Sequence, residues 1–161
     1  EAMYSSDLGR AVQTAEIIGE ALDLEVNLDS RLRERNLGPI QGLTRSQILD
    51  RFPEHSALVD SRDPDLALPE AETARQHYER CVEGATELAA RHPGGCILLV
   101  AHGGVLRSYF YHAIGIELHE PRRFSILNAA INCFSITGET WRLETWGDTS
   151  HLHGMRVLDE L

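Results

Sequence analysis

Ile97-Leu98-Leu99-Val100-Ala101-His102-Gly103-Gly104-Val105-Leu106-Arg107 reads as an apolar strand that breaks at a histidine into two glycines and runs on as an apolar helix. In open α/β sheets the crevice at the carboxyl ends of the strands is where ligands bind. The turn would set a titratable ring, His102, beside the free N–H groups of a helix start, Gly103 first among them. That is a seat for an anion. Taken alone, the same stretch also suits a solvated histidine in a Gly-Gly turn, since most strand-to-helix turns carry no chemistry.

The flanking sequence alternates in the same way. Ala2-Met3-Tyr4 reads as the end of a strand, and Ser5, Ser6 or Asp7 can cap the helix that follows. Leu8, Ala11, Val12, Ala15, Ile18 and Leu22 recur at helical spacing, which predicts a helix to about Leu22. Val26 to Leu28 is a short strand, and Arg31 to Gly42 a loop broken at Gly38-Pro39. Thr44 opens a short helix that Pro53 ends, and Ser61 to Pro69 reads as loop. A long helix is predicted from Glu70 to Arg91, another over Val105 to Ile114, and a hairpin from Asn132–Ile136 and Thr140–Thr145. Alternating strands and helices give an α/β layered domain. Residues 1–152 form that domain, and 153–161 read as an irregular tail.

Composition narrows the chemistry. The chain has 161 residues, 42% hydrophobic and 25% charged, and a net charge of −10. An acidic surface argues against nucleic acid and anionic membranes, which need a basic field. No apolar run approaches a membrane span, so a cytoplasmic protein is expected. All 15 basic residues are arginine, which excludes Schiff-base lysine and P-loop chemistry and leaves the side chain best suited to phosphate. Cys81, Cys96 and Cys133 are odd in number and widely spaced, and read as core thiols of a reducing compartment.

Three further residues stand out. Arg10 falls in the first turn of the first helix, where the dipole disfavours a cation by about 0.3–1 kcal/mol unless an anion is shared there. Its alternatives are solvent, or a pair with Asp7 or Glu34. Glu34, in Arg31-Leu32-Arg33-Glu34-Arg35, is either a solvated charge or a buried acid. Glu72-Thr73 is sufficiently explained by capping. His112 and His119 read as surface residues. His151-x-His153 lacks a third metal ligand.

Taken in order, four segments resemble the histidine phosphatase (phosphoglycerate mutase-like) superfamily. They are Tyr4-Ser5-Ser6-Asp7-Leu8-Gly9-Arg10-Ala11 onward, Leu32-Arg33-Glu34-Arg35 with Gly38 and Gln41-Gly42, Val100 to Arg107, and Trp146-Gly147-Asp148-Thr149-Ser150-His151-Leu152. The resemblance implies a three-layer α/β/α fold with a mostly parallel sheet. It implies that Arg10, Ser6, His102 and Gly103 hold the phosphate, and that Arg10, Glu34 and His102 are catalytic, with Glu34 the proton donor. It implies no metal and no cofactor. The family's attacking histidine lies in an Arg-His-Gly turn that does not occur here. That segment, with the first strand and helix, is expected upstream of Glu1, and the chain alone is expected to be inactive.

The expected activity is therefore hydrolysis of a small phosphate monoester through a phosphohistidine. The partners expected are a small phosphorylated metabolite and a second copy of the chain in a homodimer. Mutase-type transfer and an inactive binding module are the alternatives. Leu43 to Glu72 holds three arginines against seven acids (Asp50, Glu54, Asp60, Asp63, Asp65, Glu70, Glu72), a net −4 that disfavours a second anion on the substrate.

Overall fold

The computed structural model describes residues 1–53 and 61–154. Three parallel strands, β1 (Ala2–Ser5), β2 (Val26–Leu28) and β3 (Ile97–Val100), form one sheet in the order β2-β1-β3. Helix α1 (Gly9–Leu22) makes the crossover that a parallel β1–β2 pair requires. Helices α2 (Arg45–Arg51), α3 (Ala74–Arg91) and α4 (Gly103–Ile114) follow, then a hairpin of β4 (Ile131–Thr137) and β5 (Thr140–Asp148). The hairpin is an antiparallel sheet of its own. Among the described residues no strand pairs with the outer edge of β3.

Alternation along the strands assigns the layers. Met3 and Leu98 are opposite one another, and the Met3 sulfur lies close to Gly19 of α1. Tyr4 and Leu99 are the next pair and therefore face the other way. Leu99 packs on a core of Cys81, Ala85, Val105, Tyr109 and Trp141, contributed by α3, α4 and β5. Helix α1 thus covers one face of the sheet, and α3 with α4 covers the other, the expected three layers. Met3, Leu32, Leu88 and Val105 are fully buried, each contributing about 1.5–3 kcal/mol.

Several local expectations need correction. The long helix starts at Ala74, not Glu70, because Thr73 caps it through a reciprocal bond with Gln76, while Glu70 has a positive φ of 64°. Its buried stripe is His77, Cys81, Gly84, Ala85 and Leu88, so a histidine occupies a core position. Helix α4 begins at Gly103, two residues before the expected start. Only Cys81 is a core thiol. Cys96 precedes β3 and Cys133 sits on an outward position of β4, and both are exposed. His112 is half-buried rather than freely solvated, since its Nδ1 bonds the Tyr78 hydroxyl at 2.7 Å and its ring meets Trp141 edge-on. His119 is exposed. Apart from His153 and Gly154, the tail lies outside the described residues.

The register decides where the site is. Leu28, Ser5 and Val100, the last residues of the three strands, lie side by side. Ser6 and, in the first turn of α1, Arg10 follow Ser5; Glu34 lies in the loop after Leu28, and His102 follows Val100. All three segments emerge at the same carboxyl edge. No helix among the described residues is long and apolar enough to cross a membrane.

Candidate phosphate site at the carboxyl edge

Ser6 continues the edge of β1 by donating its N–H to the Val100 carbonyl at 2.9 Å. Its hydroxyl lies 2.8 Å from Nε2 of His102 and also accepts the Leu8 N–H. Both Ser6 and His102 are buried, with His102 retaining 7% exposure. None of the three expected capping residues caps α1. Leu8 stands at the N-cap in an extended conformation with no side-chain bond, because Ser6 faces His102, Ser5 bonds the Ser6 carbonyl and Asp7 pairs with Arg33. The helix start is left open, and Arg10 in its first turn is exposed. Asp7 takes the Arg33 guanidinium on both oxygens at 2.6 Å, which holds its carboxyl below the usual range. Arg10 is thereby spared the pair with Asp7 that its spacing allowed.

Glu34 reaches the same turn from the loop after β2. One carboxylate oxygen accepts the Gly104 N–H at 2.9 Å and the other accepts the Arg35 N–H at 2.9 Å. A Cβ on residue 104 would overlap this carboxylate, so the close approach requires glycine. The Gly104 N–H, expected to remain free for a ligand, is therefore spent on Glu34. The Gly103 N–H, one position nearer the strand, has no partner among the described residues. Burial pushes the His102 pKa down and the charge of Arg10 pushes it further, while the charge of Glu34 opposes both. The guanidinium and the carboxylate thus act on one imidazole with opposite sign. Arg10, Glu34, Ser6, Gly103 and His102 are gathered at one edge.

Glu72, read from the sequence as a capping acid, and Arg80, which the sequence does not single out, hold the Glu34 loop in place. Arg80 of α3 donates to both oxygens of Glu72 at 2.8 Å and to the carbonyls of Arg31 and Arg33 at 2.6 and 3.1 Å. Glu72 in turn accepts the Asn36 N–H at 3.3 Å. The pair grips the chain on both sides of Glu34. Burial pushes the Glu72 carboxyl up, but the Arg80 bonds and charge outweigh it and leave it below its ordinary value. Glu72 is thus not a capping acid, a role that Thr73 fills. Arg31 is tied to Asp29 and Glu87, both at 2.7 Å, and Arg35 bonds the Glu72 carbonyl at 2.8 Å. Each arginine flanking Glu34 is committed elsewhere.

Beside Glu34 opens a hollow of about 450 Å³ whose wall includes Arg33, Asn36, Glu70, Glu72 and Arg80. Glu54 and Asp60 of the acidic segment lie outside the described residues. Among the described residues no group of three His, Cys, Asp or Glu side chains is placed to hold a metal ion.

The chain resembles known proteins over most of its length. The family model of the histidine phosphatase superfamily (branch 1) matches residues 1–149. Phosphoglycerate mutase-like protein 4 of Arabidopsis thaliana is 37% identical, over 93% of this chain and 65% of the relative. A metal-independent phosphoserine phosphatase of the same plant is 31% identical over 98% and 65%. The chain thus spans 65% of the length of these curated relatives. Among solved structures, YhfR of Bacillus stearothermophilus superposes with a TM-score of 0.81 at 28% identity, covering 93% of this chain and 75% of that one. A mycobacterial glucosyl-3-phosphoglycerate phosphatase does so at 0.75 and 32%, covering 91% and 76%.

Proposed function

The chain belongs to the histidine phosphatase superfamily, and on that premise we propose that its carboxyl edge is the phosphate-clamping and proton-donating side of a phosphomonoesterase site. One observation carries this reading: Glu34 is bonded to the turn that starts at His102, while Arg10 and Glu34 act on the His102 ring from opposite signs. A transferring phosphoryl group needs its equatorial oxygens held and its leaving oxygen protonated. Arg10, His102, Ser6 and the Gly103 N–H serve the first need, and Glu34 the second. With a net charge of −10, the protein must attract a phosphate by such local groups.

In this reading a histidine outside the 161 residues attacks phosphorus. The bond from phosphorus to the leaving alcohol breaks, and the departing oxygen takes the Glu34 proton. Water then attacks the phosphohistidine, the P–N bond breaks, and Glu34 takes a proton from that water and is restored as an acid. Two easier displacements replace one hard one. His77 does not suit the attacking role, being only 1% exposed. The substrate class is a small phosphate monoester, as in the phosphoserine and glucosyl-3-phosphoglycerate named for two relatives. The acidic segment over residues 43–72 disfavours a second anion on the substrate, which argues against a mutase substrate and equally against the carboxylate that those two compounds carry.

Orthophosphate titrated into the protein broadens its phosphorus NMR signal, and Arg10→Ala removes the effect. Protein that also carries the attacking histidine releases phosphate from a sugar phosphate and forms an acid-labile phosphoenzyme. Isomerisation of a phosphoglycerate without phosphate release would instead mark a mutase, and phosphate binding without turnover a binding module. Gly104→Ala is expected to lower kcat by about 10²-fold, since the new methyl displaces the Glu34 carboxylate by about an ångström. The melting temperature should barely change, because alanine gains about 1 kcal/mol over glycine within a helix. A full-rate Gly104→Ala enzyme would separate Glu34 from the chemistry.

A further inference from the structure

Against Glu34 lies a buried histidine that the proposed reaction does not use. His77 belongs to the core stripe of α3 and is 1% exposed. Its Nε2 stands 3.6 Å from a Glu34 carboxylate oxygen and 3.5 Å from the Cys81 sulfur, and its Nδ1 stands 3.4 Å from the Ser108 hydroxyl of α4. The groups facing it are Cys81 and Arg80 from its own helix, Glu72 from the segment before it, Glu34 from the loop, and Arg107 with Ser108 from α4.

The bonding of Ser108 fixes which nitrogen carries the proton. The hydroxyl has one hydrogen, and it is donated to the Gly104 carbonyl at 3.1 Å. With the hydroxyl hydrogen directed along this shorter contact, oxygen lone pairs face His77, and the geometry assigns the ring proton to Nδ1. Burial holds the ring neutral, pushing its pKa well below the ordinary histidine value; Arg80 and Arg107 act in the same direction, against Glu34 and Glu72. A neutral ring with its proton on Nδ1 presents a bare Nε2 to Glu34 and to the Cys81 sulfur, whose own hydrogen is directed to the Arg31 carbonyl at 3.8 Å.

We infer that His77 is a positioning residue for the proton of Glu34: its bare Nε2 gives the acid form of the carboxyl an acceptor for which the carboxylate has no use. This rests on the assignment of Glu34 as proton donor. The 3.6 Å separation is a few tenths of an ångström beyond bonding distance, and catalytic pairs commonly tighten when substrate binds. The same carboxyl keeps its two backbone donors, the N–H groups of Gly104 and Arg35, so its orientation is set from two sides and its proton from a third.

Two measurements test this independently of one another. Nitrogen NMR of the imidazoles in the wild-type protein at neutral pH should show His77 protonated at Nδ1 and bare at Nε2, the minor form of a free neutral histidine. A proton on Nε2, or a cationic ring, would overturn the inference whether or not the protein is a phosphatase. In protein that turns over, His77→Leu should lower kcat about tenfold for an alkyl phosphate, whose leaving oxygen needs a proton. It should leave p-nitrophenyl phosphate, whose leaving group departs as an anion, within about twofold, with KM unchanged for both. Ser108→Ala, which removes the Nδ1 partner and touches no substrate group, should show the same bias more weakly. Equal losses on both substrates would reduce His77 to a packing residue. Absence of phosphate release from wild-type protein would instead refute the reading of the site, and the NMR result would still decide the tautomer.

Discussion

Glu34→Gln lowers kcat for an alkyl phosphate monoester by about 10²–10⁴-fold, the usual worth of a positioned general acid, and lowers it far less for p-nitrophenyl phosphate. The substitution keeps the shape of the side chain but removes the proton that the leaving oxygen requires. It is not otherwise silent. Each carboxylate oxygen accepts one backbone N–H, from Gly104 and from Arg35. An amide can meet one of them with its oxygen, but must turn its own NH₂ group toward the other. One donor is left facing a donor, at a cost of about 1–3 kcal/mol, so a modest fall in melting temperature accompanies the kinetic loss. The comparison between leaving groups removes this complication, because misplacement of the side chain would slow both substrates. Rates for the two phosphates, measured beside a thermal melt, check the prediction. An equal fall for both would show that Glu34 shapes the site without giving it a proton.

How far the sequence discloses this site depends on whether each residue's role is set locally. The run Ile97 to Val100 and the glycines after His102 are local signals, and the strand, turn and helix they predict are the ones observed. Glu34 is different. Its neighbours Arg31, Arg33 and Arg35 look in the sequence like cations that would bind it. In the fold each one finds another partner: Asp29 and Glu87, Asp7, and the Glu72 carbonyl. Those pairings join residues as far as 56 positions apart, from Arg31 to Glu87, and no spacing rule reports them. The role of Glu72 was hidden for a similar reason, since an acid at a helix start has a sufficient local explanation until Thr73 is seen to take the cap. His77 could have been found. It lies four residues before Cys81 and eleven before Leu88, on the stripe that apolar side chains fill, and a histidine at a core position needs bonding partners.

The second large effect concerns the grip on the Glu34 loop. Arg80→Met keeps most of the side-chain volume and removes four donated bonds, two to Glu72 and one each to the carbonyls of Arg31 and Arg33. Breaking a fully buried pair from one side costs about 3–5 kcal/mol, because the remaining charge stays buried without its partner. The Arg80 and Glu72 side chains here keep 24% and 17% exposure, so water recovers part of that and about 2–3 kcal/mol is expected. For a domain of this size the melting temperature should fall by about 4–12 °C. Arg80→Lys should rescue little, since an ammonium cannot span both Glu72 oxygens and two carbonyls at once. The informative variant is the double one. Arg80→Met with Glu72→Leu removes the stranded carboxylate and should regain part of the stability lost in the single variant. It cannot regain the hold on Asn36 and Arg33, so turnover should stay low while the melting temperature recovers. Recovery of both together would mean that the pair only stabilises the fold, and that Glu34 finds its place between Gly104 and Arg35 without it.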